Sequence, residues 1–342
     1  MALRPSEPQP EPLGAVAQNV PCALPRCRWK RLAAAGVMGC GLLAAGTAAA
    51  QQDANETGKL EIYGPLAQVS APPAGVPGAL PPPPWHQDLR LRNTVIIGAG
   101  ALIVAAYGMS NWWQEGFSGG FKTTNEGFFG ENTPHGGMDK FGHMFANYAN
   151  VRAFTQVFQA AGNSRGDAIW LSALSTAAVF TAVEVADGFS NQYRFSPQDE
   201  AMNIAGAALG VILETHPELD EKFDFRLGYS KSAESAHWKP FSDYSGQRYL
   251  LVAKADGFDA LRNRPVLRYL ELSLGYQARG YEHPGLEHRR DVYVGLSLNL
   301  SRVLADGFYQ GKKSTTRVQR TAELAFELFQ FPTAVYADFR ID

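Results

Sequence analysis

Three apolar stretches of this chain carry ionisable or amide side chains at helical spacing, and no other feature restricts its fold as much. Asp139, His143 and Asn147 recur every four residues, Glu184 and Asp187 are three apart, and Asp199 and Asn203 are four apart. Residues three or four apart share one face of an α-helix. Their neighbours are mostly Ala, Leu, Val, Phe and Gly. An ionised group in such surroundings is costly unless paired, so the stripes should converge on one another or on water. The loop from Asp187 to Ser196 is short enough to bring the second pair beside the third.

Periodicity predicts helices over residues 94–109, 139–161 and 167–186, and a fourth that Ser196 caps with Pro197 at its first position. A helix over 94–109 would reach about 24 Å, short of a ~30 Å hydrocarbon core, which leaves 167–186 as the best candidate to span a bilayer. Gly206 and Gly210, four apart, would let another helix approach the fourth one closely. Helices apolar almost all round imply a bundle that is deeply buried or lies in lipid. Between the first two lies a stretch rich in Gly and aromatic residues, including Trp112, Trp113, Phe121 and Phe129. It suits an interfacial loop or a lid.

Beyond residue 219 the period changes. Strands are expected over 223–229, 248–253, 266–281, 291–301 and 333–341. In the third, Leu270, Leu272, Leu274 and Tyr276 alternate with Glu271, Ser273, Gly275 and Gln277, and the fourth alternates in the same way. Period two with one apolar face marks β-structure, and the loop containing His283 and Pro284 predicts an antiparallel hairpin. Alternation of this kind also marks outer-membrane barrel strands, but five strands fall short of the eight in the smallest such barrel. A sheet packed on the bundle or on a membrane is expected, or a partial barrel.

The N-terminus reads as an address. Arg26, Arg28, Lys30 and Arg31 precede a short apolar run, and Ala48-Ala49-Ala50 fits a cleavage site. Gly39-Cys40 offers a second reading, processing and acylation at Cys40. All 3 Cys lie within the first forty residues, so a disulfide framework or cysteine zinc site farther on is excluded. Residues 51–93 form a Pro-rich linker, ending its run of prolines at Pro84. A chain of 342 residues, 45% hydrophobic and 19% charged, is not disordered, and a net charge of −2 gives no electrostatic reason to bind nucleic acid. No P-loop, dinucleotide fingerprint, His-Glu-x-x-His or nucleophile elbow is present.

Asp139-Lys140-Phe141-Gly142-His143, then Tyr148, Glu184, Arg194-Phe195-Ser196-Pro197-Gln198-Asp199, Asn203, Gly206 and Gly210 resemble the VanZ-like superfamily. Gly136-Gly137-Met138 and Glu184-Val185-Ala186-Asp187-Gly188 bring the chain nearer to its YfiM-type branch of envelope lipoproteins. Asp187 departs from the Gln usual in VanZ-like proteins. The resemblance covers residues 94–215 and implies an envelope location and a helical bundle, with no particular reaction.

The expected architecture is α+β: an export signal over 1–50, the linker over 51–93, a four-helix bundle over 94–218 and an antiparallel β region over 219–342. Several functions remain open. The polar residues, with Lys140, Asn147, Tyr148, Arg194, Ser196 and Asn203, can form a buried network in a membrane-associated structural or assembly factor of the outer envelope. Alternatively, His143, Asp139, Glu184 and Asp199 can serve acid–base hydrolysis or transfer on an envelope lipid or glycan headgroup, with Lys140 or Arg194 on a phosphate. His143, Glu184, Asp187 and Asp199 can also hold a divalent Mn, Fe, Mg or Zn. Expected partners are membrane lipid or envelope components and a second copy of the chain.

Overall fold

A computed structural model describes residues 88–117, 119–282 and 285–341. The export signal, Cys40, Ala50, nearly all of the Pro-rich linker and His283 lie outside them.

The first helix, α1 (Leu89–Asn111), starts earlier than periodicity suggests, because Asp88 caps it by accepting from the Arg90 and Leu91 amides. Arg90 and Arg92 look like linker residues in sequence but form its first turns. At 23 residues it reaches about 34 Å, which overturns the expectation that this segment is too short for a bilayer. Both α1 and α3 (Arg165–Phe189) are long and apolar enough to cross a membrane. Only Val104 and Gly108 of α1 are buried, so it flanks the bundle rather than completing a symmetric four-helix core.

The core is made by α2 (Met138–Ala160), α3 and α4 (Pro197–Thr215). Helix α2 begins after His135, Gly136 and Gly137, all with positive φ. Gly137 has φ +88°, and a Cβ there would lie 2.7 Å from the Phe128 carbonyl oxygen, so this sharp entry is closed to larger residues. Ser164 and Ser196 cap α3 and α4. Where α4 crosses α2, a Cβ on Gly206 would lie 2.0 Å from the Met144 carbonyl oxygen, and one on Gly210 2.8 Å from Val151 Cβ. Gly206→Ala should therefore push two backbones apart and destabilise by about 1–3 kcal/mol in urea unfolding. Gly98→Ala on α1, where a Cβ meets nothing within 4 Å, should stabilise by up to ~1 kcal/mol.

Strands β1 (Phe223–Tyr229), β2 (Gln247–Lys254), β3 (Leu270–Arg279), β4 (Arg289–Leu298) and β5 (Val335–Arg340) form an antiparallel meander in chain order. Two helices of two turns or more inside this region were not legible in the sequence: α5 (Leu300–Phe308), which Asn299 caps just past β4, and α6 (Arg317–Leu328). The Phe329–Gln330 segment after α6 covers the outer edge of β1, with the Gln330 amide donating to the Leu227 carbonyl at 2.9 Å.

Phe225, Leu227 and Tyr249 meet Met138, Phe145 and Tyr148 of α2 and Leu324 and Leu328 of α6 in the main core. The opposite sheet face is polar and buried. Arg226 donates two bonds to Glu271 (2.7 and 2.8 Å) and also pairs with Asp224, which Lys254 holds at 2.5 Å. Ser297 donates to Glu271 at 2.9 Å, and the Arg248 guanidinium lies 4.2 Å over Tyr293 and 4.5 Å over Tyr336. Contacts from β2 to β4 across one strand and to β5 across two fit a sheet curled with its polar side inside. Gly275 and Gly295 permit the curl, since a Cβ there would meet Leu250 Cδ2 and Tyr336 Cδ1 at 2.5 Å.

Candidate functional site

The three stripes converge. Lys140 is wholly excluded from solvent, and its ammonium is held by carboxylates from three elements: Glu126 of the Gly/aromatic segment at 2.5 Å, Asp199 of α4 at 2.6 Å and Asp139 of α2 at 3.1 Å. These partners outweigh the cost of burying the charge and hold Lys140 protonated, well above the ordinary lysine range.

His143 lies beside this clamp. Its Nε2 is 3.7 Å from Asp139 Oδ1 and 3.8 Å from Asp199 Oδ1, and its Nδ1 is 3.1 Å from Asn203 Oδ1 and 3.5 Å from Glu184 Oε1. The surrounding hydrogen bonds assign its tautomer. Asn147 Nδ2 donates to the His143 carbonyl at 3.0 Å and to Asn203 Oδ1 at 2.6 Å. Asn203 therefore presents oxygen to Nδ1, which must carry the proton. In neutral imidazole the Nε2 lone pair would then point at two carboxylates, an arrangement that calls for a positive charge between them. Burial lowers the pKa of His143, but Asp139, Asp199 and Glu184 more than offset it and raise it to about 8. Burial raises Asp199 to about 6, with Asp139 adding to the effect and His143 and Lys140 opposing it. Despite its burial, Asp139 is held low by His143 and Lys140.

A further ring of contacts ties in the rest of the fold. Tyr244, from the connection between β1 and β2, donates to Asp139 Oδ1 at 3.1 Å, and His135 stacks on the Tyr244 ring at 4.0 Å. Trp113 Nε1 donates to Asp187 Oδ1 at 2.5 Å. The Gly/aromatic segment is a strap across the α3–α4 junction. The Lys122 amide donates to Gly188 O, the Phe195 amide to Lys122 O, and Phe121 packs against Phe189 and Phe195.

Some sequence-derived members sit elsewhere. Arg194 is exposed on the α3–α4 loop and is not among the groups that hold Lys140 or His143. Tyr148 belongs to a second buried cluster on the far side of α2, where Arg152 donates to it and pairs with Glu214, Asp220 and Glu327. Ser196 accepts from the Asp199 amide as a helix cap. Glu184 faces Nδ1 and Asp187 faces Trp113, so the ligand atoms that come within 4.8 Å of one another belong to Asp139, His143 and Asp199. Glu126, Tyr244 and Trp113 were missed: each lies outside the periodic stripes, and folding alone brings it in.

Residues 125–215, which span this site, match the family described as "Predicted periplasmic lipoprotein (DUF2279)". The matched stretch begins just before Glu126 and ends with α4, so it contains Lys140 and all three of its carboxylate partners. That description fits an exported, periplasm-facing envelope protein. No curated protein and no solved structure matches the chain.

Proposed function

We propose that this protein is a structural or assembly factor of the outer membrane's periplasmic face, anchored through a signal cleaved near Ala50 or acylated at Cys40. Its polar centre locks α2, α4 and the strap in register, and α1 and α3 lie against membrane lipid. The resemblance to the YfiM-type branch of VanZ-like proteins supports the same placement. The observation that carries this reading is the Lys140 clamp, with zero exposure and three carboxylate partners from separate elements. A buried charge of this kind, with its partners in place, specifies one packing of the helices.

His143→Ala separates this from the headgroup hydrolase or transferase reading, in which His143 is an acid–base group. We expect the variant to accumulate less and melt lower than a variant with Ala at exposed Lys312. Normal accumulation and melting together with detergent sensitivity of the cells would instead support the enzyme.

A second reading rests on the Nε2 lone pair that the hydrogen bonds aim at Asp139 and Asp199. A divalent cation there would supply the positive charge the arrangement calls for, in place of a proton. Metal-stripped protein should then melt higher when Mn or Zn is added and retain about one ion per chain in elemental analysis. An unchanged melting curve together with no bound metal would eliminate the cation.

A further inference from the structure

The apolar face of the sheet packs on α2 and α6 only at its β1–β2 end, through Phe225, Leu227 and Tyr249, and is left uncovered farther along. Charged and polar side chains fill its concave side, while Leu251, Leu272, Leu274, Val294, Leu296 and Leu298 are exposed on the other. The register makes these residues one patch rather than scattered positions. Leu251, Leu274 and Val294 lie opposite one another across β2, β3 and β4, as do Leu272 and Leu296 across β3 and β4. Contiguous exposed apolar surface of this kind marks an interaction site. Polar inside and apolar outside is the pattern of strands whose outer solvent is lipid.

Features beside the patch identify the occupant. Helix α5 follows directly on β4 and exposes Val303 and Phe308, the latter 80% accessible. Exposed Lys312 and Arg320 come next in the chain, whereas Lys313 between them turns inward to buried Asp256, 2.6 Å away. An amphipathic helix followed by basic residues suits the boundary of a bilayer containing anionic lipid. From Leu270 to Tyr276 the apolar side of β3 measures about 20 Å at 3.4 Å per residue, less than a ~30 Å hydrocarbon core. The face is thus too short to cross a bilayer and suited to lying against one.

We infer that the convex face of the β2–β3–β4 sheet, continued by α5, docks on the acyl region of an anionic lipid bilayer. This rests on the same membrane placement proposed for α1 and α3, so the experiment must separate the two. An environment-sensitive fluorophore would be attached at Leu274→Cys, at Leu102→Cys on α1 and at Glu218→Cys, an exposed polar position, in the full chain with Cys22, Cys27 and Cys40 replaced by Ser. Each protein would be mixed with phosphatidylethanolamine–phosphatidylglycerol vesicles carrying brominated acyl chains. The Leu274 and Leu102 probes should each lose roughly half or more of their emission, with the Glu218 probe unchanged. A quenched Leu102 probe with an unquenched Leu274 probe would overturn the docking face and leave the helix placement standing. If neither is quenched, both fail. Oxidative cross-linking of unlabelled Leu274→Cys into a dimer, with no quenching of its probe, would show a second copy on the face and overturn the inference. Leu296→Cys, also exposed and on β4, repeats the measurement in case Leu274→Cys perturbs the fold.

Discussion

Lys140→Met should be the most damaging single substitution in the helical half, lowering stability by about 3–5 kcal/mol. Methionine fills a similar volume but leaves Glu126, Asp139 and Asp199 without the ammonium that all three share. The charges then left in place are half-buried or buried and belong to separate elements, so their repulsion acts on the packing of the strap and α4 against α2. A loss of this size is a large share of the 5–15 kcal/mol that holds a typical domain together. Urea unfolding followed by far-UV circular dichroism measures it. Lys140→Arg should also be destabilising, because a wholly buried site shaped for a point charge has no room for a planar fork.

Arg226→Met should have an effect of comparable size in the sheet, about 3–5 kcal/mol. Arg226 is buried at the centre of the concave side, where it binds Glu271 through two bonds and pairs with Asp224. Lys254 stays with Asp224 in the variant, but Glu271 keeps only the Ser297 hydroxyl among these partners. Wild-type stability would mean that the polar interior is hydrated rather than sealed.

The helical half was readable because its signals are local. Asp139, His143, Asp199 and Asn203 announce themselves by spacing within single helices, and Gly206 and Gly210 mark a close crossing in the same way. Glu126 and Tyr244 gave no such signal. Tyr244 meets Asp139 across 105 residues of chain, and Glu126 sits in a segment without period. The sheet shows a subtler limit. Strict alternation separates Leu272 and Leu274 from Glu271 and Ser273, but it does not say which set faces inward. That choice depends on whether the far side meets water or lipid, and on charged partners such as Arg226 that arrive from another strand. The α5 helix was hidden because Leu300 and Ser301 extend the alternating composition of β4, and only the Asn299 cap marks the change.

If Lys140 and its carboxylates act as one lock between α2, α4 and the strap, the effects of removing them must be coupled. A double-mutant cycle on Lys140→Met and Asp199→Asn, read by urea unfolding, tests it most directly. Neutralising Asp199 as well relieves part of the carboxylate repulsion that Lys140→Met leaves behind, and the attraction between the two groups is lost only once. The double variant should therefore be more stable than the sum of the single losses predicts, by about 2 kcal/mol or more. Losses that add to within ~0.5 kcal/mol would show that the two groups do not act together and would contradict the lock.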